Sequence, residues 1–150
     1  PAYFIFHTAE GTALKDFIDS KDNEDNYGGS TNMNRKKIPV EWIIDGIEVF
    51  KYGLDGQKKR LTAAVDAGYI NLTGRLGHTL YRNVDKDATE ALAENAGKIV
   101  YSYSLGYDGS TDPSGIDAEA SIKNGARIVY KDTNNSTNDF HERVKSSLRN

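Results

Sequence analysis

Three strand-like runs in residues 79–131 constrain the fold of this chain most, because each joins β-branched or aromatic residues to a polar signature. The first run, residues 79–84, has an arginine at its centre. The second, residues 98–105, contains a Ser-x-Ser, and the third, residues 116–122, contains an acid-x-Glu before a Gly turn. Runs of this composition are typical of strands. The second half of the chain is therefore predicted to be rich in strands.

Residues 3–6 are predicted to form a short buried strand, because four aromatic and β-branched residues run together. Helical spacing is otherwise more evident before Gly68. Apolar residues recur at helical intervals in residues 11–19 and 57–67. Shorter helices are predicted over residues 88–95, with Asp87 as the cap, and over residues 140–149. Residues 40–50 suit either a short helix or a strand pair broken at Asp45-Gly46, and the pattern leaves both open. No internal repeat is evident. The sum predicts one α+β domain over residues 1–150, with N-terminal helices packed on two small, mostly antiparallel sheets that face a cleft.

Composition excludes several classes of site. The chain has no cysteine, which rules out disulfides and thiolate nucleophiles. Its three histidines, His7, His78 and His141, are far apart and have no recognised metal spacing, so no metal is expected. The net charge of -3 reveals no basic face for nucleic acid. No apolar run approaches the roughly 18 residues of a membrane span, so membrane insertion is not expected.

The three polar signatures have the residue types that cleavage of the nicotinamide–ribose bond of NAD requires. Positive charge develops on the ribose as nicotinamide leaves, and a carboxylate such as Glu119 would stabilise it. The planar donor fork of Arg82 suits the pyrophosphate or the nearby ribose–phosphate side of NAD. A hydroxyl on a neighbouring strand, that of Ser102, would hold the glutamate in one rotamer.

The order of these signatures resembles the toxin-type mono-ADP-ribosyltransferases of the arginine–serine–glutamate class, over roughly residues 57–132. The motifs concerned are Thr79-Leu80-Tyr81-Arg82, Tyr101-Ser102-Tyr103-Ser104 and Asp117-Ala118-Glu119. The resemblance implies that Arg82 binds NAD, that Ser102 orients the catalytic Glu119, and that Asp117 helps to choose the acceptor. It also implies that the cleft holds NAD, with Ser104 as a further contact. Among the tyrosines of this region, Tyr107 in the loop is the candidate for stacking on nicotinamide.

The resemblance implies a toxin or effector domain that transfers ADP-ribose from NAD to a cytoplasmic protein of a target cell. Such a domain would be secreted or delivered as part of a larger bacterial protein, and its producer would need a cognate inhibitor or a delivery barrier. The lack of cysteine and the start at Pro1 fit such a payload. A phage-encoded enzyme and an NAD glycohydrolase that uses water are alternatives. A third alternative is a non-enzymatic binding or inhibitory module whose polar strands are merely surface.

Overall fold

A computed structural model of the chain describes residues 1–26, 34–73, 77–101, 112–144 and 146. In these residues the fold is α+β, as predicted, and no α-helix is longer than six residues. The α-helices are α1 (Leu14–Asp19), α2 (Lys86–Glu90), α3 (Ala118–Lys123) and α4 (Ser136–Asp139). The strands are β1 (Ala2–Phe6), β2 (Glu24–Asn26), β3 (Asn34–Lys36), β4 (Ile43–Lys51), β5 (Ile70–Leu72), β6 (Thr79–Arg82) and β7 (Phe140–Arg143). Two 3-10 turns span Val40–Trp42 and Ala93–Asn95.

The largest described sheet has β4 at its centre, with β1 antiparallel on one side and β5 parallel on the other. Alternate residues of a strand point to opposite faces. Gly46 and Glu48 therefore share one face of β4, which packs against residues 60–66. Asp45 and Val49 share the other face, which points toward β6.

Strands β6 and β7 form a separate antiparallel ladder, in which Tyr81 pairs with His141 and Arg82 pairs with Phe140. The side chains of Tyr81, His141 and Arg143 lie on one face of this ladder. Those of Arg82 and Phe140 lie on the opposite face, which points toward β4. Strands β2 and β3 form a third, two-stranded antiparallel sheet.

The expectation of a helical first half is wrong. Among the described residues before Gly68, only α1 is α-helical, whereas β1 to β4 are strands. Helix α1 begins at Leu14 rather than at Gly11, and it buries Phe17. The Phe17 ring centroid lies 5.0 Å from that of Trp42 and 6.3 Å from that of Phe6. Packing of Phe17 in this aromatic cluster holds α1 in place, although the helix has only six residues.

Strand β4 settles the ambiguity of residues 40–50, because it runs through Asp45-Gly46 without a break. Glycine is required at position 46 for close packing and not for a turn. A Cβ atom there would lie 2.7 Å from Cγ1 of Val65 and 3.1 Å from Cδ1 of Leu61. The glycine therefore lets residues 61–65 rest directly on the sheet.

The helix predicted over residues 57–67 does not form. The backbone amides of Arg60 and Leu61 donate to Oε2 of the buried Glu48, at 2.8 and 2.9 Å. The Gln57 side chain is bonded to the backbone of Lys51 and Leu54. Because these groups are used by tertiary bonds, local helical propensity is overridden.

Three further predictions differ from the structure. Residues 116–122, predicted as a strand, form α3 after a short bridge at Ile116. Residues 140–143 form β7 rather than the start of a helix, because their side chains alternate between two contacted faces. The helix predicted from residue 88 to 95 is α2 followed by the turn Ala93–Asn95, and Asp85 rather than Asp87 caps it.

Candidate functional site

Arg82, the predicted NAD-binding arginine, lies near the end of β6 and bridges two carboxylates. Its guanidinium is bonded to Asp45 of β4 and lies 3.7 Å from Asp132. Its Cζ atom lies 4.8 Å from the ring centroid of Phe140. These contacts join the β6–β7 ladder to the central strand of the three-stranded sheet. In this arrangement Arg82 already has the anionic partners that a pyrophosphate would otherwise supply.

Asp117 and Glu119, predicted on a strand, stand at the start of α3. Asp117 is the N-cap, and its Oδ1 accepts the amide of Ala120 at 2.9 Å. Glu119 lies in the first turn, where a negative charge is favoured by the helix dipole. Its Oε1 accepts a bond of 3.0 Å from Nη1 of the buried Arg143. Helix capping and the ion pair with Arg143 therefore explain why acidic residues stand at positions 117 and 119.

The structure does not bring Arg82 and Glu119 to one pocket. Arg82 lies on the face of the β6–β7 ladder that points toward β4, and Glu119 reaches the opposite face through Arg143. Ser102, Ser104 and Tyr107 lie outside the residues that the structure describes. The roles given to these five residues and to Asp117 in binding or transforming NAD therefore stay predictions.

A polar cluster does fill the face of the ladder near Glu119. The guanidinium of Arg143 stacks on Tyr81, with Cζ 3.8 Å from the ring centroid. Nε of Arg143 donates to Nε2 of His141 at 3.1 Å, and Nδ1 of His141 bonds Oδ1 of Asn83 at 2.7 Å. Burial lowers the pKa of His141, the charge of Arg143 lowers it further, and Asp112 opposes them. The neutral imidazole satisfies both of its bonds.

A second buried cluster joins β4 to the C-terminal part of the domain. Both oxygens of the fully buried Asp66 accept hydrogen bonds, from the amides of Glu48, Gly68 and Ser136 and from the Ser136 hydroxyl, at 2.8 to 2.9 Å. Burial would raise the pKa of Asp66, but these hydrogen bonds outweigh it and lower the pKa. Nζ of Lys59 lies 3.9 Å from the carboxylates of both Asp66 and Glu48. This cluster therefore has a structural role, because it connects β4 to Ser136 at the start of α4.

An apolar groove of about 520 Å³ lies between the three-stranded sheet and β6. Val49 and Ile47 of β4 form its floor, and Leu80 of β6 faces them. Tyr3 of β1 stands at its wall and is 60% exposed. Lys51 contributes a positive charge to the lining. A groove that is apolar with a few polar groups is the usual form of a binding site.

Strand β1 lies beside this groove, at the edge of its sheet among the described strands. Its residues Ala2–Phe6 carry no charge, and Ile5, like Tyr3, is 60% exposed. An exposed, uncharged edge strand is prone to pair with another strand. The groove and the edge strand together make the surface that is best suited to a ligand.

The structure describes no group of three or more histidines and acids that could hold a metal ion. In the part of the chain that it describes, no helix is long and apolar enough to cross a membrane.

Fold and site together define a small α+β domain whose described interior holds more buried polar side chains than hydrophobic ones, with an apolar groove beside an edge strand. The model of a family of proteins of unknown function, DUF4876, matches residues 1–103, and the chain belongs to this family. No curated protein and no solved structure matches the chain.

The residues that form this surface carry no functional prediction from the sequence. Tyr3 and Ile5 belong to the strand predicted over residues 3–6, and Val49 belongs to the ambiguous segment 40–50. The absence of charge in residues 2–6 was the available signal, because a solvent-facing edge strand usually carries one. The pairing of β4 with β1 and the approach of Leu80 carry no sequence signal, since both depend on contacts between distant parts of the chain.

Proposed function

We propose that this domain is a non-enzymatic binding module that takes an extended apolar segment of a partner protein as an added strand on β1. The observation that supports this most is the uncharged edge strand Ala2–Phe6, with Tyr3 and Ile5 each 60% exposed beside an apolar groove. Recognition by strand addition combines backbone hydrogen bonds, which give affinity, with side-chain pockets, which give specificity.

The backbone of β1 presents hydrogen-bonding groups at its outer edge, as strand addition requires. The amide of Val49 donates to the carbonyl of Pro1 at 2.8 Å. Bonded and non-bonded pairs alternate in an antiparallel ladder, so Tyr3 and Ile5 bond β4, and the peptide groups of Ala2 and Phe4 point to the outer edge. An added strand would pair with these two residues.

The groove supplies the specificity of the proposed site. Tyr3 belongs to both β1 and the groove wall, so a strand on β1 runs close to the groove. One bulky apolar side chain of the partner would enter beside Val49 and Leu80, and burying such a side chain is worth about 1.5–3 kcal/mol. Lys51 lines the same groove and favours an acidic residue next to that anchor. The proposed ligand is therefore an extended segment with alternating apolar residues and a nearby acid.

Transfer of ADP-ribose from NAD is the second candidate, and the order of Arg82, Ser102 and Glu119 in the sequence supports it. This candidate function includes an ADP-ribosyltransferase-like fold with an NAD cleft. It also includes a protein acceptor in a target cell and a larger parent protein that is delivered to that cell. An NAD glycohydrolase is a variant of the same candidate. NAD binding at Arg82 would have to displace Asp45 and Asp132. An NAD consumption assay with and without cell extract separates the candidates, because the binding module leaves NAD intact in both.

A displayed library of random peptides tests the binding module directly. We expect selection on the wild-type chain to enrich extended peptides with alternating apolar residues and an acid. The variant Ile5→Lys places a charge on the exposed face of β1 and should weaken the selected peptides about tenfold or more. Ile18→Lys is the matched control, because Ile18 lies on α1 and is 52% exposed, and it should bind like wild type. Equal binding by Ile5→Lys and wild type would remove β1 as the site.

A further inference from the structure

Two segments of the chain share a sequence pattern and a local structure. These two segments begin with Val84-Asp85-Lys86-Asp87-Ala88-Thr89 and with Ile116-Asp117-Ala118-Glu119-Ala120-Ser121. Each begins with a buried β-branched residue, continues with an aspartate N-cap and a second acid, and ends with a fully buried hydroxyl residue. The cap is the same in both, since Oδ1 of Asp85 accepts the amide of Ala88 at 3.0 Å and Oδ1 of Asp117 that of Ala120 at 2.9 Å.

The similarity continues beyond the helices. The segments that follow are Asn95-Ala96-Gly97-Lys98-Ile99-Val100-Tyr101 and Asn124-Gly125-Ala126-Arg127-Ile128-Val129-Tyr130. Each has an asparagine, a glycine with positive φ, a basic residue and then Ile-Val-Tyr, with φ of 71° at Gly97 and 83° at Gly125. The first copy of the whole pattern is longer only because more residues separate Thr89 from Asn95, around its 3-10 turn, than separate Ser121 from Asn124. Residues 84–101 are here named the first unit, and residues 116–130 the second unit.

The helix start of each unit bonds the Ile-Val-Tyr segment of the other. The amide of Asp85 donates to the carbonyl of Val129 at 2.9 Å, and the amide of Val129 donates to the hydroxyl of Thr89 at 3.0 Å. In the reverse direction, the amide of Asp117 donates to the carbonyl of Val100 at 2.8 Å. The amide of Val100 donates to the hydroxyl of Ser121 at 2.9 Å.

Two further contacts follow the same two-fold pattern. Antiparallel bridges join Val84 to Tyr130 and Ile116 to Tyr101. The side chain of Asn95 donates to the carbonyl of Arg127 at 2.7 Å, and that of Asn124 donates to the carbonyl of Lys98 at 3.0 Å. Equivalent residues thus make equivalent contacts in both directions, which is the property of an isologous interface.

We infer that the two units are copies of one structural element and that their two-fold contacts make residues 84–101 and 116–130 a single cooperative module. Each unit satisfies part-buried backbone groups of the other, so neither is complete alone. The family match ends at residue 103 and includes only the first unit. The cooperative module therefore extends beyond the family match, and residues 116–130 are needed to hold residues 84–101 in place.

Amide hydrogen exchange on the full chain tests this inference. Thr89→Val removes the hydroxyl that bonds Val129, and Ser121→Ala removes the one that bonds Val100. A part-buried amide that loses its hydrogen-bond partner destabilises the local structure, which should raise the frequency of local opening about tenfold or more. We expect each variant to accelerate exchange of both amides, Val100 and Val129, by that factor. The amide of Val49, outside the module, should keep its rate.

The control is Thr137→Val, because the Thr137 hydroxyl bonds the amide and carbonyl of Tyr69 just as Thr89 bonds those of Val129. It should leave Val100 and Val129 unchanged, and Thr89→Ser, which keeps the hydroxyl, should preserve the wild-type rates. If Thr89→Val does not fold, Ser121→Ala alone carries the test through its effect on Val129. Acceleration confined to the directly bonded amide, or equal acceleration of Val49, would overturn the inference.

Discussion

Glu119 accepts a hydrogen bond from Arg143 at 3.0 Å, and this ion pair ties helix α3 of the second unit to strand β7. The equivalent acid of the first unit, Asp87, is exposed. The shared aspartate cap and second acid are explained by helix initiation, which favours both a capping carboxylate and a negative charge in the first turn. Helix initiation thus accounts for the acid-x-acid pattern in both units, Asp85-Lys86-Asp87 and Asp117-Ala118-Glu119.

We expect Glu119→Gln to lower the free energy of unfolding by about 1 kcal/mol, because Arg143 is 4% exposed and loses its anionic partner. Glu94→Gln is the control, since Glu94 pairs with Arg127 at 3.7 Å on the surface, and it should have almost no effect. Urea denaturation measures both. If Glu94→Gln lowers the free energy of unfolding as much as Glu119→Gln does, the ion pair with Arg143 stabilises the fold no more than a surface pair.

Arg82→Met should lower the free energy of unfolding by about 2 kcal/mol, because Asp45 is left part-buried without its cation. Arg82→Lys should recover only part of this, since an ammonium cannot bond Asp45 and stack on Phe140 as a planar guanidinium does. Denaturation of the three proteins tests the order. Calorimetric titration of the wild type with NAD is the companion measurement. Saturable NAD binding that both variants lose would favour the transferase over the binding module.

Asp66→Asn should be among the most destabilising single changes, with a loss of about 3 kcal/mol or more. The asparagine amide would turn a donor toward the donors of Glu48, Gly68 and Ser136. The backbone of Gly68 has little room to move away from the new donor, because Asn135 and Thr137 pack so closely against it that there is no space even for a Cβ atom. Thermal melting compares this variant with Asp55→Asn at an exposed position, which should melt like wild type. Similar melting of the two variants would contradict the role assigned to the buried cluster.

His141 predicts a loss of stability on mild acidification. Its pKa is lowered in the folded domain by burial and by Arg143, so the unfolded chain takes up a proton first as pH falls. The contribution of His141 is complete above its unfolded pKa of about 6.5 and is lost as pH falls through the folded pKa. Urea denaturation at neutral and mildly acidic pH should show a smaller pH dependence for His141→Gln than for wild type. The exposed His7→Gln should retain the wild-type pH dependence, and an unchanged slope in His141→Gln would refute the assignment.

The sequence predicted the α+β class and the strands at residues 3–6 and at β6, because both runs are short and β-branched or aromatic. The prediction that the strand at residues 3–6 is buried was wrong, because this strand lies at the exposed edge of its sheet. It failed where tertiary contacts reassign local patterns. Gly46 indicated a break in the strand, but it allows close packing against Val65. In residues 57–67, the amides of Arg60 and Leu61 donate to the Glu48 side chain and not to carbonyls of a helix.

The local structure predicted around the acidic pair was wrong for a related physical reason. Asp117 and Glu119 are compatible with one polar face of a strand and with the start of a helix, and spacing alone does not separate these readings. The repeat of the pattern at Asp85 and Asp87 was the signal that would have favoured a helix start. The opposite faces of Arg82 and Arg143 depend on the register of β6 with β7, which joins residues about 60 positions apart in the chain.

The most direct test of the binding module is amide exchange in β1 with and without a peptide selected on the wild-type chain. The amide of Phe4 points to the outer edge, whereas those of Tyr3 and Ile5 are bonded to β4 in the free domain. Strand addition should therefore slow exchange at Phe4 by about tenfold or more, with a much smaller change at Tyr3 and Ile5. A peptide that binds tightly while the exchange rate of the Phe4 amide stays unchanged would contradict strand addition on β1.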